Sequence, residues 1–317
     1  MTDIKSPAGW IPARGKRRLI ALVSAALALL LILAACTTVV ELPEREPVID
    51  DLGRPVVITG VPRRIVSLAP ANTEIVFALG LGNRVVGVTD FCNYPPEALE
   101  KEKVGAFYPP DIEKIVAMAP DLILASDIHR HELIPALEER GLTVFALGPQ
   151  TLGDVLESIT RVGQITGRER SAANLVSNMQ DRIDYVKAQT AQVEYRPRVL
   201  YVTWHDPLWT VGRNTWIDDL IEIAGGANIF SDDIDGGTVV EIESVVFRNP
   251  EVIITSLWAF DWATSEPLLA STDASSNGRI HRVDDDLVQR PTPRLLVALD
   301  WFAHYIHPEI FEAPDDN

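Results

Sequence analysis

Asp111-Ile-Glu-Lys-Ile-Val-Ala-Met-Ala-Pro-Asp-Leu-Ile-Leu-Ala-Ser126 has a second copy in the same chain, Glu241-Ile-Glu-Ser-Val-Val-Phe-Arg-Asn-Pro-Glu-Val-Ile-Ile-Thr-Ser256, aligned without a gap at an offset of 130 residues. Ile112/Ile242, Glu113/Glu243, Val116/Val246, Pro120/Pro250, Ile123/Ile253 and Ser126/Ser256 are identical pairs. Each copy opens on an acidic residue and a glutamate, where carboxylates favour the unpaired amides and the dipole of a helix start. Ile112, Ile115, Val116 and Ala119 recur at helical spacing, and Pro120 stops the helix because it has no amide hydrogen to donate. The apolar run over 122–125 is short and unbroken, as in a strand buried on both faces of a parallel sheet. One such helix–strand unit is common in α/β proteins, and two of them predict two similar lobes.

The 317 residues suffice for two domains, each with its own core. Lys16, Arg17 and Arg18 precede an apolar run over 19–35 that closes as Leu33-Ala34-Ala35-Cys36. Basic, apolar and small residues in that order before a cysteine resemble a bacterial lipoprotein signal, with 1–35 removed and Cys36 carrying the lipid. A permanent transmembrane anchor is the alternative, at the short limit for crossing a bilayer. Both readings put the rest of the chain outside the cytoplasmic membrane, as a periplasmic or outer-face, membrane-anchored protein. The 28 Lys+Arg against 45 Asp+Glu give a net charge of −17, and the first 35 residues hold five of the basic groups and one acid. A body that acidic excludes nucleic acid, whose phosphates need lysine and arginine to release counterions. It suits solubility, or a partner with basic docking residues. With Cys36 assigned to lipid, Cys92 has no disulfide partner and reads as a small, passive side chain in a loop.

Residues 36–62 read as a polar tether ending in a leading hairpin and edge strand around Gly53. An N-terminal lobe over 63–166 then alternates strands (65–68, 85–88, 122–125, 143–147) with helices (73–79, the repeated unit, 132–140). Asn72 reads as the N-cap of the first helix, with Glu74 in its first turn. After a helix over 151–166, a longer one over 168–193 carries Ala172, Leu175, Val176, Met179, Ile183 and Val186 on one stripe, and 167–194 is the natural connector. A C-terminal lobe over 195–317 has a strand at 198–202, a helix at 216–223, the second unit and a closing helix at 295–305. The whole predicts an α/β fold of two Rossmann-like lobes with mainly parallel sheets, joined by one long helix and holding a cleft.

No nucleotide-binding glycine motif, phosphate loop, nucleophile elbow or His-Glu-x-x-His occurs. His129/His131 and His304/His307 are paired histidines without a third ligand at metal-site spacing, and the second pair suits a helix C-terminus electrostatically. No intrinsic cofactor or metal is expected. Aromatic pairs do recur in loops that follow strands: Phe91/Tyr94, Phe107/Tyr108, Trp204/Trp209 and Trp258/Phe260. In open α/β sheets that edge binds ligands, and aromatics there suit a large, partly apolar one.

Ile65-Val-Ser-Leu-Ala-Pro-Ala-Asn-Thr-Glu74, Gly87-Val-Thr-Asp-Phe-Cys-Asn-Tyr-Pro-Pro96, Asp206-Pro-Leu-Trp-Thr-Val-Gly212 and Ile217-Asp-Asp-Leu-Ile-Glu-Ile-Ala-Gly-Gly226 resemble the cobalamin and iron-siderophore substrate-binding proteins of ABC importers over about residues 60–309. The resemblance is nearest to the cobalamin branch. It implies a non-enzymatic receptor that captures a corrinoid in an aromatic cleft, with little hinge closure, and delivers it to a permease dimer. It further implies ligand contacts at Phe91, Phe107 or Tyr108, Trp204, Asp286 and Arg290. Glu113 and Glu243 fall where the family docks onto permease arginines. Phe91 and Phe107 differ from the family's usual aromatics and His205 is an added histidine, which keeps haem and ferric siderophores open as ligands. An extracytoplasmic metal-dependent hydrolase, resting on Asp284-Asp-Asp286 and the histidines, is the alternative of another class.

Overall fold

The sequence pattern of apolar runs broken by Gly and Pro resolves into two parallel sheets in the computed structural model, which describes residues 46–314. The signal-like run and Cys36 lie outside the described residues. In chain order, β1 (Val48–Ile49) and β2 (Pro55–Val56) form the leading antiparallel hairpin. They are followed by β3 (Ile65–Ser67), α1 (Pro70–Ala78), β4 (Val85–Val88), α2 (Ile112–Ala117), β5 (Leu122–Ser126), α3 (Leu133–Glu138) and β6 (Val144–Leu147). The hairpin docks on the β6 side: Asp51 N donates to Ala146 O at 3.1 Å, and Ala146 N donates to Asp50 Oδ2 at 3.2 Å.

Two helices lead out of this lobe. Thr151 caps α4 (Leu152–Thr166) by accepting from Asp154 N, and Gly167 ends it in the left-handed region at φ 69°, which costs glycine little. The connector α5 (Glu169–Thr190) follows, 22 residues or about 33 Å long. Ala172, Met179, Ile183 and Val186 of its apolar stripe are buried, and Leu175 and Val176 pack partly buried against the same core.

The second lobe comprises β7 (Arg198–Val202), β8 (Trp204–His205), β9 (Leu208–Val211), α6 (Trp216–Ile223), β10 (Ala227–Asn228), β11 (Gly237–Val239), α7 (Ile242–Arg248) and β12 (Val252–Ser256). It continues with α8 (Phe260–Ser265), α9 (Asp273–Ser276), β13 (Ile280–Val283), α10 (Asp285–Val288) and α11 (Leu295–Ile306). The chain adds a three-stranded antiparallel sheet, β11-β9-β8, that the sequence reading did not anticipate.

The duplication is structural. The first sheet runs β4-β3-β5-β6 and the second β10-β7-β12-β13, all parallel, so each lobe has its second strand, then its first, third and fourth. The repeated units supply the third strand of each, β5 and β12. Even the helix ends match: Ala119 at φ 44° and Asn249 at φ 47° are both left-handed just before the equivalent Pro120 and Pro250. Asn249 offsets that strain by holding Asp273 with its side-chain amide, Nδ2 to Oδ2 at 2.8 Å and Asp273 N to Oδ1 at 2.8 Å. Alanine has no such recourse.

One expectation needs correcting. Helix α1 begins at Pro70, three residues after the end of β3, with Ala69 at the N-cap and proline in the first turn, where its missing N–H costs nothing. Asn72 is therefore inside the helix and buried, donating to Ala125 O at 2.8 Å, and Glu74 lies beyond the first turn.

Candidate functional site

Parallel strands leave their C-terminal ends, and the loops that follow them, on one edge of each sheet. The C-terminal ends of β5 and β6, the start of α1 and the loops after β3, β4, β5 and β6 bring Ala69, Asn72, Phe91, Ser126, Asp127, Leu147 and Gln150 around a cavity of about 540 Å³. The second lobe closes it with Trp216 from the start of α6 and Gln289, Arg290 and Pro291 beyond α10. Trp216 is fixed in place because its Nε1 donates to Val288 O at 2.8 Å, while its backbone N donates to Gln150 O at 2.7 Å across the lobes. A larger hollow of about 770 Å³ lies among α4, α5 and α6. Its lining contains no aromatic residue, so it does not suit the ligand that the strand-end loops are built for.

Phe91, Phe107 and Arg290 of the expected site line the cavity. Phe91 is 59% exposed, a large apolar surface left open in the absence of other contacts. Phe107 is half-buried and meets the His129 ring edge to face at 5.2 Å. Tyr108 follows it in sequence and also stacks on His129, at 6.2 Å, and its hydroxyl donates to Glu132 at 2.7 Å, which raises its pKa. His129 serves this loop rather than a metal. Its Nδ1 accepts from Ser126 N at 3.0 Å and its Nε2 donates to Phe107 O at 2.8 Å, and burial holds the ring neutral by lowering its pKa. The carbonyl and the amide between them leave neither ring nitrogen for a ligand.

Trp204 does not line the cavity. It sits on β8 just past the end of β7, exposed, with Nε1 donating to Asp206 O at 2.8 Å and its ring 5.1 Å from His205. The unexpected histidine also stacks on Trp262, at 5.7 Å. Trp258 is exposed in the loop after β12.

Beside the cavity the two lobes are tied by a charged network. Glu74, its side chain only 2% exposed, accepts from Arg294 Nε at 2.8 Å and Nη2 at 2.6 Å, and from Arg290 Nη1 at 3.1 Å. Arg290 Nη1 also donates to Asn93 Oδ1 at 2.6 Å, its Nη2 meets Asp286 Oδ1 at 2.6 Å, and Asn93 Nδ2 donates to Asp286 Oδ2 at 2.7 Å. The Arg294 guanidinium lies 4.0 Å over the Tyr94 ring. Burial opposes the charge on Arg294, but the hydrogen bonds and charge of Glu74 hold its pKa above the ordinary arginine range. Asp286 and Arg290, expected as paired contacts for a ligand, are thus joined to each other and to the opposite lobe.

Other candidates have structural occupations. Asp284 caps α10 by accepting from Asp286 N at 2.9 Å, and Asp285 accepts from Leu257 N at 3.1 Å. His304 Nδ1 bonds Phe311 O, and His307 bonds Glu309 and Gly225 O. Cys92 is buried between the hydroxyls of Thr73 and Thr89. Glu113 and Glu243 are exposed in the first turns of α2 and α7, and among the described residues neither carboxylate has a partner. Phe247, one turn after Glu243, is 90% exposed.

Sequence reasoning missed Trp216, Gln150 and Gln289 in the lining, and Glu74, Asn93 and Arg294 in the network. Trp216 directly follows the Thr215 cap and faced no local reason to be more than a helix residue. The others are polar residues whose partners are distant in sequence, 66 and 88 positions away for Gln150 and Gln289 and about 200 for Glu74, Asn93 and Arg294.

The sequence profile described as periplasmic binding protein matches residues 65–287. An uncharacterized ABC transporter substrate-binding lipoprotein of Bacillus subtilis (strain 168) is 32% identical over 277 residues, 83% of this chain and 86% of that protein. The vitamin B12-binding protein of Vibrio cholerae is 30% identical over 248 residues, 77% of this chain and 88% of that protein. The crystal structure of the periplasmic vitamin B12 binding protein of Vibrio cholerae superposes with a TM-score of 0.69 at 30% identity, covering 78% of this chain and 97% of that one. A periplasmic heme-binding protein from Roseiflexus sp. RS-1 superposes with a TM-score of 0.71 at 27% identity, covering 78% and 99%.

Proposed function

The chain belongs to the periplasmic binding protein family of ABC-importer solute-binding proteins, which are not enzymes, and from that membership we propose that it captures a corrinoid such as cobalamin and delivers it to its permease. The observation that carries this reading is the cavity at the strand C-termini between the lobes, walled by Phe91, Phe107 and Trp216 with the amides of Gln150 and Gln289 among them. Flat aromatic faces with a few neutral polar groups suit a macrocycle rimmed by amides. Haem needs an imidazole, thiolate, thioether or phenol on its iron. The cavity lining contains none; nearby, both ring nitrogens of His129 are engaged and the Tyr108 hydroxyl is held by Glu132, whereas cobalamin carries its own axial base. Similarity to vitamin B12-binding proteins agrees with this choice.

Trp204, exposed at the same edge of the second sheet, forms an outer wall of the cleft, and Tyr108 its rim. Glu113 and Glu243 dock onto basic residues of the permease dimer, and the sequence before Cys36 directs lipid anchoring on the extracytoplasmic side. Titrating the purified full-length chain with cyanocobalamin tests the reading by tryptophan quenching and visible absorbance. Saturable binding weakened about tenfold by Phe107→Ala is expected, from the loss of one stacked ring. No saturable binding would refute it, and unaltered affinity in Trp204→Ala would remove that residue from the site.

A further inference from the structure

The charges around the cavity decide what kind of ligand it accepts. Among its lining residues only Asp127 and Arg290 are charged. Arg290 is 14% exposed, and its two terminal nitrogens are already shared among Glu74, Asn93 and Asp286. Arg294, the next guanidinium, is held bidentately by Glu74 and covered by Tyr94. Two arginines thus face two carboxylates in a closed set. Asp127 adds a negative charge that no cation pairs with among the described residues: its Oδ1 accepts from Ser126 Oγ at 2.8 Å and Ile128 N at 2.9 Å.

We infer that the network of Glu74 and Asp286 on Arg290 and Arg294, together with Asp127, makes this cleft select ligands without carboxylates. The inference rests on the proposed reading of the cavity as the ligand site. A ligand carboxylate reaching Arg290 must displace Glu74 or Asp286, and a displaced Glu74, in a nearly water-free position, gives up one of its two cations and keeps Arg294 alone. It also meets the field of Asp127, and like charges brought together oppose binding strongly. An amide asks for none of this: Asn72, Ser126, Gln150 and Gln289 in the lining are neutral hydrogen-bonding groups. The arrangement discriminates chiefly by repulsion, which separates ligands of the same size and shape.

Matched pairs test it on the full-length chain. Cyanocobalamin is compared with a corrinoid in which one side-chain amide is hydrolysed to the acid, and haemin dimethyl ester with haemin. The neutral member of each pair that binds should win by about tenfold or more per carboxylate, and that ratio should shrink as salt is raised, because exposed charges are screened. Asp286→Asn, which returns part of Arg290 to the cavity, should reduce the ratio to about threefold or less. A second readout, the salt dependence in the unaltered protein, stands even if that variant fails to fold. Preference for the porphyrin ring over the corrin overturns the corrinoid reading, and the ester–acid pair then decides the charge inference. An acid that binds as tightly as its neutral partner overturns the charge inference whichever ring wins. So does the absence of binding by both neutral rings.

Discussion

Replacing Arg294 with alanine should destabilise the protein by about 3 kcal/mol, and the reason is Glu74. That carboxylate is 2% exposed and receives two hydrogen bonds from Arg294, at 2.8 and 2.6 Å. Removing one partner of a buried ion pair costs about 3–5 kcal/mol because the other charge is left desolvated. Loss of the guanidinium over Tyr94 adds about 0.5–1 kcal/mol. Arg290 Nη1, still 3.1 Å from Glu74 Oε1, recovers part of the loss, which brings the sum down to about 3. Urea unfolding followed by tryptophan fluorescence measures it, with the slope unchanged if only stability is affected. The sharper outcome is a change of sign. Glu74→Gln alone should destabilise by about 1–2 kcal/mol, but in the Arg294→Ala background it should stabilise by a similar amount, since it removes the orphaned charge. A loss below about 0.5 kcal/mol in Arg294→Ala, or simple additivity in the double variant, would refute the account of a buried interlobe ion pair.

Three further outcomes follow from local geometry. Ala119→Gly should raise stability by about 0.5–1 kcal/mol in the same assay, because φ 44° strains alanine but not glycine, with part of the gain lost to unfolded-chain entropy. Burial, with Arg279 and His304 nearby, lowers the His281 pKa to about 4, so the unfolded chain binds the extra proton between about pH 6.5 and 4. Stability should therefore be complete above pH 6.5 and fall by about 2 kcal/mol as pH drops through that window, less than the roughly 3.4 kcal/mol of the full shift because solvent screens a ring that is only partly buried, a loss that urea midpoints should show blunted in His281→Phe, which keeps the stack on Tyr305. Reversing both proposed docking charges, Glu113→Lys with Glu243→Lys, should abolish ligand uptake by cells while leaving ligand affinity of the purified protein within about twofold, as both side chains are exposed and, among the described residues, unpartnered. Uptake that persists would return the pair to helix-start electrostatics.

The lobes and their duplication were legible because they are written in local terms: apolar strand runs, helix stripes, Thr151 as a cap, Gly167 as a stop, and a unit repeated with its proline in place. Helix α6 over Trp216–Ile223 and the strand Arg198–Val202 lie where spacing put them. Of the expected site, the cavity gathers Phe91, Phe107 and Arg290, since loops after parallel strands share one edge. Local reasoning went astray at Asn72 and Glu74. A polar residue before a helical stripe looks like a cap, and a glutamate after it looks like dipole pairing. What assigns them otherwise is a carbonyl on β5 and two guanidiniums more than 200 residues downstream. By itself the sequence determined the two α/β lobes and the aromatic character of their open edge, because helix and strand periodicities are short-range properties of the chain. Only the tertiary structure decided that Arg290 and Arg294 are neutralised across the cleft, because a buried charge takes its meaning from whichever partner the fold brings within hydrogen-bond reach.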